Sequence, residues 1–212
     1  RVVLLPANSV GDNIIFHAEG GDVVLPLLRQ QKDGEECLSL SDFVKSCGTD
    51  YVGAFAVTAG RGIEEIISGY QQTDDFKALL YQSLSDRLAE AAAELLHARV
   101  RREVWGYAPD ERIDRQRALR AQYRGIRPAA GYPSLPDQSA IFAIEKIVGF
   151  ANVGIAVTPN GAMSPASSVS GLMIAHPESR YFMIGAIAPD QRRDYAARRG
   201  ITEEELSKWL PK

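Results

Sequence analysis

The stretch "RGIRPAAGYPSLPDQ", Arg124 to Gln138, has the periodicity of neither a helix nor a strand. Pro128, Pro133 and Pro136 each fix a backbone angle and remove an amide donor, and each pushes the residue before it away from helical angles. This stiff segment also holds two arginines, Arg124 and Arg127, with two glycines and a tyrosine. Arginine is the side chain suited to a planar, two-pronged grip on a carboxylate. Prolines leave Arg127 and the backbone after it little freedom to lose on binding, which favours a ligand site. Ala129, Ala130 and Gly131 let a flat ligand approach the main chain, and Tyr132 offers a ring face and a hydroxyl. A zwitterion with an attached heterocyclic base suits these groups. The plainer alternative is that Arg127 pairs with a helix C-terminus or a carboxylate while the prolines route a crossover. From spacing alone the plainer role is favoured, because proline-rich loops outnumber binding loops.

Outward from the loop, the chain alternates between two periods. "RVVLLP" at the start is a short buried strand, and "DNIIFHAEGGDVVLPLL" is two strands about a turn at Gly20-Gly21. "DYVGAFAVTAG" is a further strand closed by glycine. From Asp74 the apolar residues Phe76, Leu80, Leu84, Leu88, Ala92 and Leu95 recur at helical spacing, predicting one long helix to about Trp105. The arginine-rich stretch from Asp110 to Tyr123 reads as a second, more exposed helix. "QSAIFAIEKIVG" is a short helix stopped by Gly149. "VGIAVTP", "SSVSGLMIAH" and "RYFMIGAIA" have strand character. "PDQRRDYAARRG" opens with proline and closes with glycine, and Thr202 with Glu205 forms a capping box for the last helix. No repeat or linker divides the 212 residues, so they read as one α+β domain, residues 1–212.

Composition narrows the function by exclusion. Hydrophobic residues are 45% of the chain, charged residues 24%, and the net charge is -3, which gives no electrostatic reason to expect nucleic acid or an anionic membrane as partner. No apolar run approaches the roughly 20 residues of a membrane-spanning helix. Cys37 and Cys47 fit no zinc or redox spacing and read as free thiols in a reducing compartment, placing the protein in the cytoplasm. His17, His97 and His176 have no carboxylate or cysteine at ligand spacing, so no metal site is indicated. There is no nucleophile elbow. "VTAGRGIEE" runs from strand through glycines toward a helix but lacks the third glycine and the following acidic strand end of a dinucleotide fingerprint, which makes it a tight strand-to-helix turn. No aspartate stands two residues before any histidine, so a D-x-H-x-x-G cobalamin ligand motif is absent.

"RGIRPAAGYP" resembles the R-x-x-x-G-Y element with which the activation domain of cobalamin-dependent methionine synthase binds S-adenosylmethionine. "LLPANSVGDNI", "DYVGAFAVTAG", "SDRLAEAAAELLHARVRREVWGYAPDE", "SSVSGLMIAHPESRYF" and "DQRRDYAARRGITEEELSKWL" resemble successive segments of that family, in order, over essentially the whole chain. The resemblance implies a single C-shaped α+β domain around a twisted antiparallel sheet with flanking helices, one of them long. It implies that S-adenosylmethionine is presented to a cobalamin held by a neighbouring domain of the same polypeptide, with an electron from flavodoxin or a flavoprotein reductase. The missing cobalamin ligand motif fits that division of labour, and a chain opening at Arg1 reads as a fragment of a larger methyltransferase. Two other readings stay open: a docking cap for a cobalamin domain that has lost ligand affinity, and a self-standing reactivation protein for another corrinoid methyltransferase.

The same resemblance assigns roles. Arg127 becomes the clamp for the ligand carboxylate, Gly131 and Tyr132 complete the motif, and Ala129 and Ala130 offer backbone contacts to adenine. Asp12 and Glu90 match acidic positions suited to an ammonium and a sulfonium. Tyr181 matches a tyrosine whose ring can face the sulfonium, a contact worth roughly 0.5–2 kcal/mol. Without the resemblance, Asp12 is a turn aspartate, Tyr181 a half-buried strand tyrosine, and Glu90 a solvated charge away from the Leu84, Leu88 and Leu95 stripe. No catalytic nucleophile or base is expected in this chain, since the sulfonium is already an activated methyl donor.

Overall fold

The computed structural model describes residues 1–211. Its centre is a five-stranded antiparallel sheet in the order β3-β2-β1-β4-β7. Strand β1 (Val2–Val10) is shared between two ladders: Val2 to Pro6 pair with β4 (Tyr51–Thr58), and Ala7 to Val10 pair with β2 (Asn13–Phe16). One strand serving two partners along its length curls the sheet. Gly11 and Asp12 form a two-residue turn between β1 and β2, with Gly11 at a φ of 55°, the backbone that a hairpin turn of this length demands at its first position. The next turn, through Gly20 and Gly21, leads into β3 (Val23–Pro26) as the sequence predicts.

Period-two alternation along β4 builds a core on each face of the sheet. Val52, Ala54 and Ala56 pack with Ile141, Ile144 and Val148 of helix α4 (Ala140–Val148), which Gly149 ends in the left-handed conformation. Phe55 points the other way, together with Met173 of β7 (Ser168–Met173), and meets Ala93 on the long helix and Val100 just beyond it. Between β4 and that helix lies α1 (Ile63–Gln71), entered through Gly62 at a φ of 77°. This is the strand-to-helix turn expected of "VTAGRGIEE".

The long helix α2 (Asp75–Arg99) continues through a π-helical turn at Val100–Val104, matching the predicted length. Its buried face is not the predicted one. Leu84, Leu88 and Leu95 are 52%, 58% and 62% exposed, whereas Ala78, Ser85, Ala89, Ala93 and His97 are buried. Phe55 and Met173 already fill the space above the sheet, so only small side chains let the helix axis come close. The leucines lie on the opposite face.

Three further expectations change. The predicted helix from Asp110 to Tyr123 is reduced to α3 (Arg115–Leu119), capped by Asp114. "VGIAVTP" supplies only β5 (Ala156–Val157), paired with β6 (Met163–Ser164) in a separate ribbon. "RYFMIGAIA", residues 180–188, forms no strand. It runs beside the Pro133–Pro136 segment, whose missing amides deny it a ladder. Its backbone groups bond instead to Pro133 O, to Ser134 Oγ, and to the Gln30 and Gln31 side chains. The chain closes with α5 (Pro189–Arg199) and α6 (Glu203–Leu206), whose proline, glycine and threonine caps stand where the sequence puts them.

The Arg124–Gln138 loop is seated on the free edge of β7. Ile126 exchanges backbone bonds with Ile174 at 2.9 and 3.0 Å, and Leu172 N–H donates to Pro128 O at 2.8 Å. Gly171 keeps this contact close: a Cβ there would stand 2.4 Å from Pro128 O and 3.2 Å from Ala129 Cα. Gly171→Ala is therefore expected to cost about 1–3 kcal/mol by overpacking. In thermal unfolding that is a loss of several degrees for a chain of this size, and an unchanged midpoint would show that the loop is not held this way.

Candidate functional site

Each end of the loop is anchored before any ligand is considered. At the start, Arg124 donates to the carbonyls of Ala175 and Tyr107. At the end, the buried Asp137 carboxylate accepts from Ser139 N–H, from Ser139 Oγ, from Tyr195 OH at 2.8 Å, and from Arg199. Between them Gly131 turns at a φ of 82°, its N–H donating to Leu135 O at 2.9 Å. Arg127 N–H donates to Tyr181 OH at 2.8 Å, which ties two of the predicted site residues directly together.

These anchors shape a cavity of about 430 Å³ lined by Phe55, Glu90, Arg127, Pro128, Ala129, Tyr132, Pro133, Ser134, Val169, Tyr181, Phe182 and Met183. Five of the eight predicted residues, Glu90, Arg127, Ala129, Tyr132 and Tyr181, thus share one wall system. Ala130 packs on the core behind the loop, and Gly131 shapes the turn against Gln138. Asp12 lies apart in the β1–β2 turn. Its carboxylate is taken by Arg29 at 2.6 Å, and its carbonyl accepts from Leu27 N–H and Arg198. No motif in the sequence marks the aromatic and aliphatic lining, Phe55, Val169, Phe182 and Met183.

Arg127 keeps only 12% of its side chain exposed, so its charge needs a counter-ion. Glu94 provides one, accepting from Nη2 at 2.7 Å. Glu94 stands one helical turn beyond Glu90, so the four-residue spacing of two glutamates was the signal available in the sequence. Among the described residues, three buried side-chain nitrogens have no hydrogen-bond partner: Arg127 Nη1, Arg101 Nη1 and His97 Nδ1. They are neighbours. The His97 ring meets Tyr123 edge-on at 5.1 Å, and the Arg101 guanidinium lies 4.2 Å from the same ring while pairing with Glu111. Burial is the largest cause holding the His97 pKa down to about 3, reinforced by the Arg101 and Arg127 charges.

A curled antiparallel sheet carrying a rigid arginine loop over an apolar, acid-edged cavity defines an α+β domain with a candidate ligand site. Residues 1–200 match the family model of the vitamin B12 dependent methionine synthase activation domain. A solved structure, the MetH reactivation domain bound to AdoHcy, is 40% identical, covers 98% of this chain and 67% of its own, and superposes with a TM-score of 0.92. The chain belongs to the methionine synthase activation-domain family, a part of a methyltransferase.

His97 gives the fold an acid limit. Its folded pKa of about 3 lies below the ordinary value of 6.5, so the unfolded chain binds the extra proton between those pH values. The associated stability is complete above pH 6.5 and is lost as pH falls toward 3, at about 1.4 kcal/mol per pH unit. In urea titrations at pH 7 and pH 5, His97→Gln is expected to lose less stability than the wild type over that interval. Equal losses would refute a neutral buried His97.

Proposed function

We propose that this chain binds S-adenosylmethionine in the Arg127 cavity and presents its methyl group for reductive reactivation of the enzyme's cobalamin. The observation that carries the reading is a sparsely exposed guanidinium, under-used by its protein partners, at the wall of a largely apolar cavity inside the R-x-x-x-G-Y loop. Arg127 takes the ligand carboxylate. The Ala129 backbone meets the adenine edge, with Tyr132 beside it. Glu90 and the Tyr181 ring face the ammonium and sulfonium. Phe55, Val169, Phe182 and Met183 exclude water from the thioether end.

A cobalamin held by the neighbouring domain would, once given one electron by the flavoprotein partner, supply the nucleophile for the methyl group, with S-adenosylhomocysteine leaving. The residues here need supply no base, because the sulfonium is already activated; they hold the methyl carbon in line. We assign the cobalamin domain of the same polypeptide and a flavodoxin or flavoprotein reductase as partners, and the cytoplasm as compartment. Among the described residues no helix is long and apolar enough to cross a membrane. Asp12 makes a ligand contact only if its pair with Arg29 opens.

Calorimetric titration of S-adenosylmethionine into the chain tests the reading. Arg127→Ala is expected to weaken binding more than tenfold, since a charge-assisted contact contributes about 1.5–3 kcal/mol. Glu94, 44% exposed, then meets water, so the variant is expected to stay folded. No binding by the wild type would instead favour a docking cap that has lost its ligand.

A further inference from the structure

Glu94 answers the Arg127 charge incompletely. One carboxylate oxygen, Oε1, meets one guanidinium nitrogen, Nη2, at 2.7 Å, while Nη1 is sealed from water with no acceptor at all. A guanidinium offers five donors in a planar fork matched to both oxygens of a carboxylate. The pair seen here leaves much of that fork idle. Its two members also differ in setting: the arginine side chain is 12% exposed and fixed by its proline-flanked backbone, whereas the glutamate is 44% exposed at the cleft side of α2. Leaving this pair takes Glu94 into water and strands Arg127.

A third carboxylate brought to Arg127 by a ligand would have Glu94 and Glu90 as neighbours, four residues apart on one helix, where like charges repel. We propose that Glu94 is an exchangeable counter-ion: it holds Arg127 in the ligand-free chain and is displaced by the carboxylate of the incoming amino acid moiety. Glu94 thereby sets a cost that only a ligand carrying a carboxylate has to meet. A ligand with a carboxylate can take over the guanidinium, and one without it leaves Glu94 in place. This inference rests on the ligand reading given under Proposed function.

The test compares S-adenosylhomocysteine with 5′-methylthioadenosine, which keeps the adenosine and sulfur but has no amino acid. Glu94→Gln keeps the shape of the side chain and removes the competing charge. Calorimetry on the full chain is expected to show the variant binding S-adenosylhomocysteine about three- to tenfold more tightly than the wild type, with 5′-methylthioadenosine unchanged within twofold. Unchanged or weaker S-adenosylhomocysteine binding, or an equal change for both ligands, overturns the exchange. Should the variant unfold, a crystal structure of the wild-type chain with S-adenosylhomocysteine decides: Glu94 displaced beyond 4 Å from the guanidinium supports exchange, and Glu94 still bonded to it overturns it. A wild type that binds neither ligand brings down the ligand reading itself, whereas one that binds S-adenosylhomocysteine without the Glu94 effect removes only this inference.

Discussion

A guanidinium almost removed from water cannot be left alone, and the placement of Arg127 constrains everything around it. Its backbone N–H is committed to Tyr181 and its side chain to Glu94. Those two bonds draw together the proline loop, the 180–188 segment and the long helix, three pieces of chain with no strand or helix pairing between them. Burying the charge without such partners would cost several kcal/mol. The apolar lining of the cavity, Phe55 and Val169 from the sheet with Phe182 and Met183 from the neighbouring segment, makes that pairing matter more, because it excludes the solvent that would otherwise screen it.

The long helix reaches this site because of what it lacks. Ala89 and Ala93 face the sheet where leucines were expected, and their small volume brings Glu90 and Glu94 to the rim of the cavity. A leucine in either place would push the helix away from Phe55 and Met173, and both glutamates with it. Leu80, Leu84, Leu88 and Leu95 are left as an exposed apolar stripe, a feature more often met on surfaces that contact other chains or domains.

How much of this was legible in the sequence follows from how local each signal is. Proline angles, glycine turns and helix caps are decided within a few residues, so the rigid loop, the Gly20–Gly21 turn, Gly149 and the Thr202 N-cap stand where they were read, the last with only the Thr202 half of its box formed. The face of α2 was misread because hydrophobic periodicity says which side is apolar, not which side is buried. Only the residues opposite, Phe55 and Met173, decide that. "RYFMIGAIA" has the composition of a strand, and the prolines that deny it a ladder lie some fifty residues earlier. Among the residues that line the cavity, Arg127 and Tyr132 were offered by loop chemistry, although spacing alone favoured a structural role for Arg127. Glu90 and Tyr181 came only from family resemblance, because helical pattern put Glu90 in solvent and nothing near Tyr181 hints at Arg127. The chain contacts that isolate Asp12 from the cavity, through Arg29, have no sequence signature.

Strand β7 ends the sheet, and an unprotected terminal strand offers its backbone to any passing chain. Here the Arg124–Gln138 loop covers it. Ile126 bonds to Ile174 and Pro128 O accepts from Leu172, while the proline ring presents no amide to extend the ladder further. Pro128 therefore also blunts the sheet against edge-to-edge aggregation, so a variant that frees the loop would expose the edge of β7 and endanger solubility.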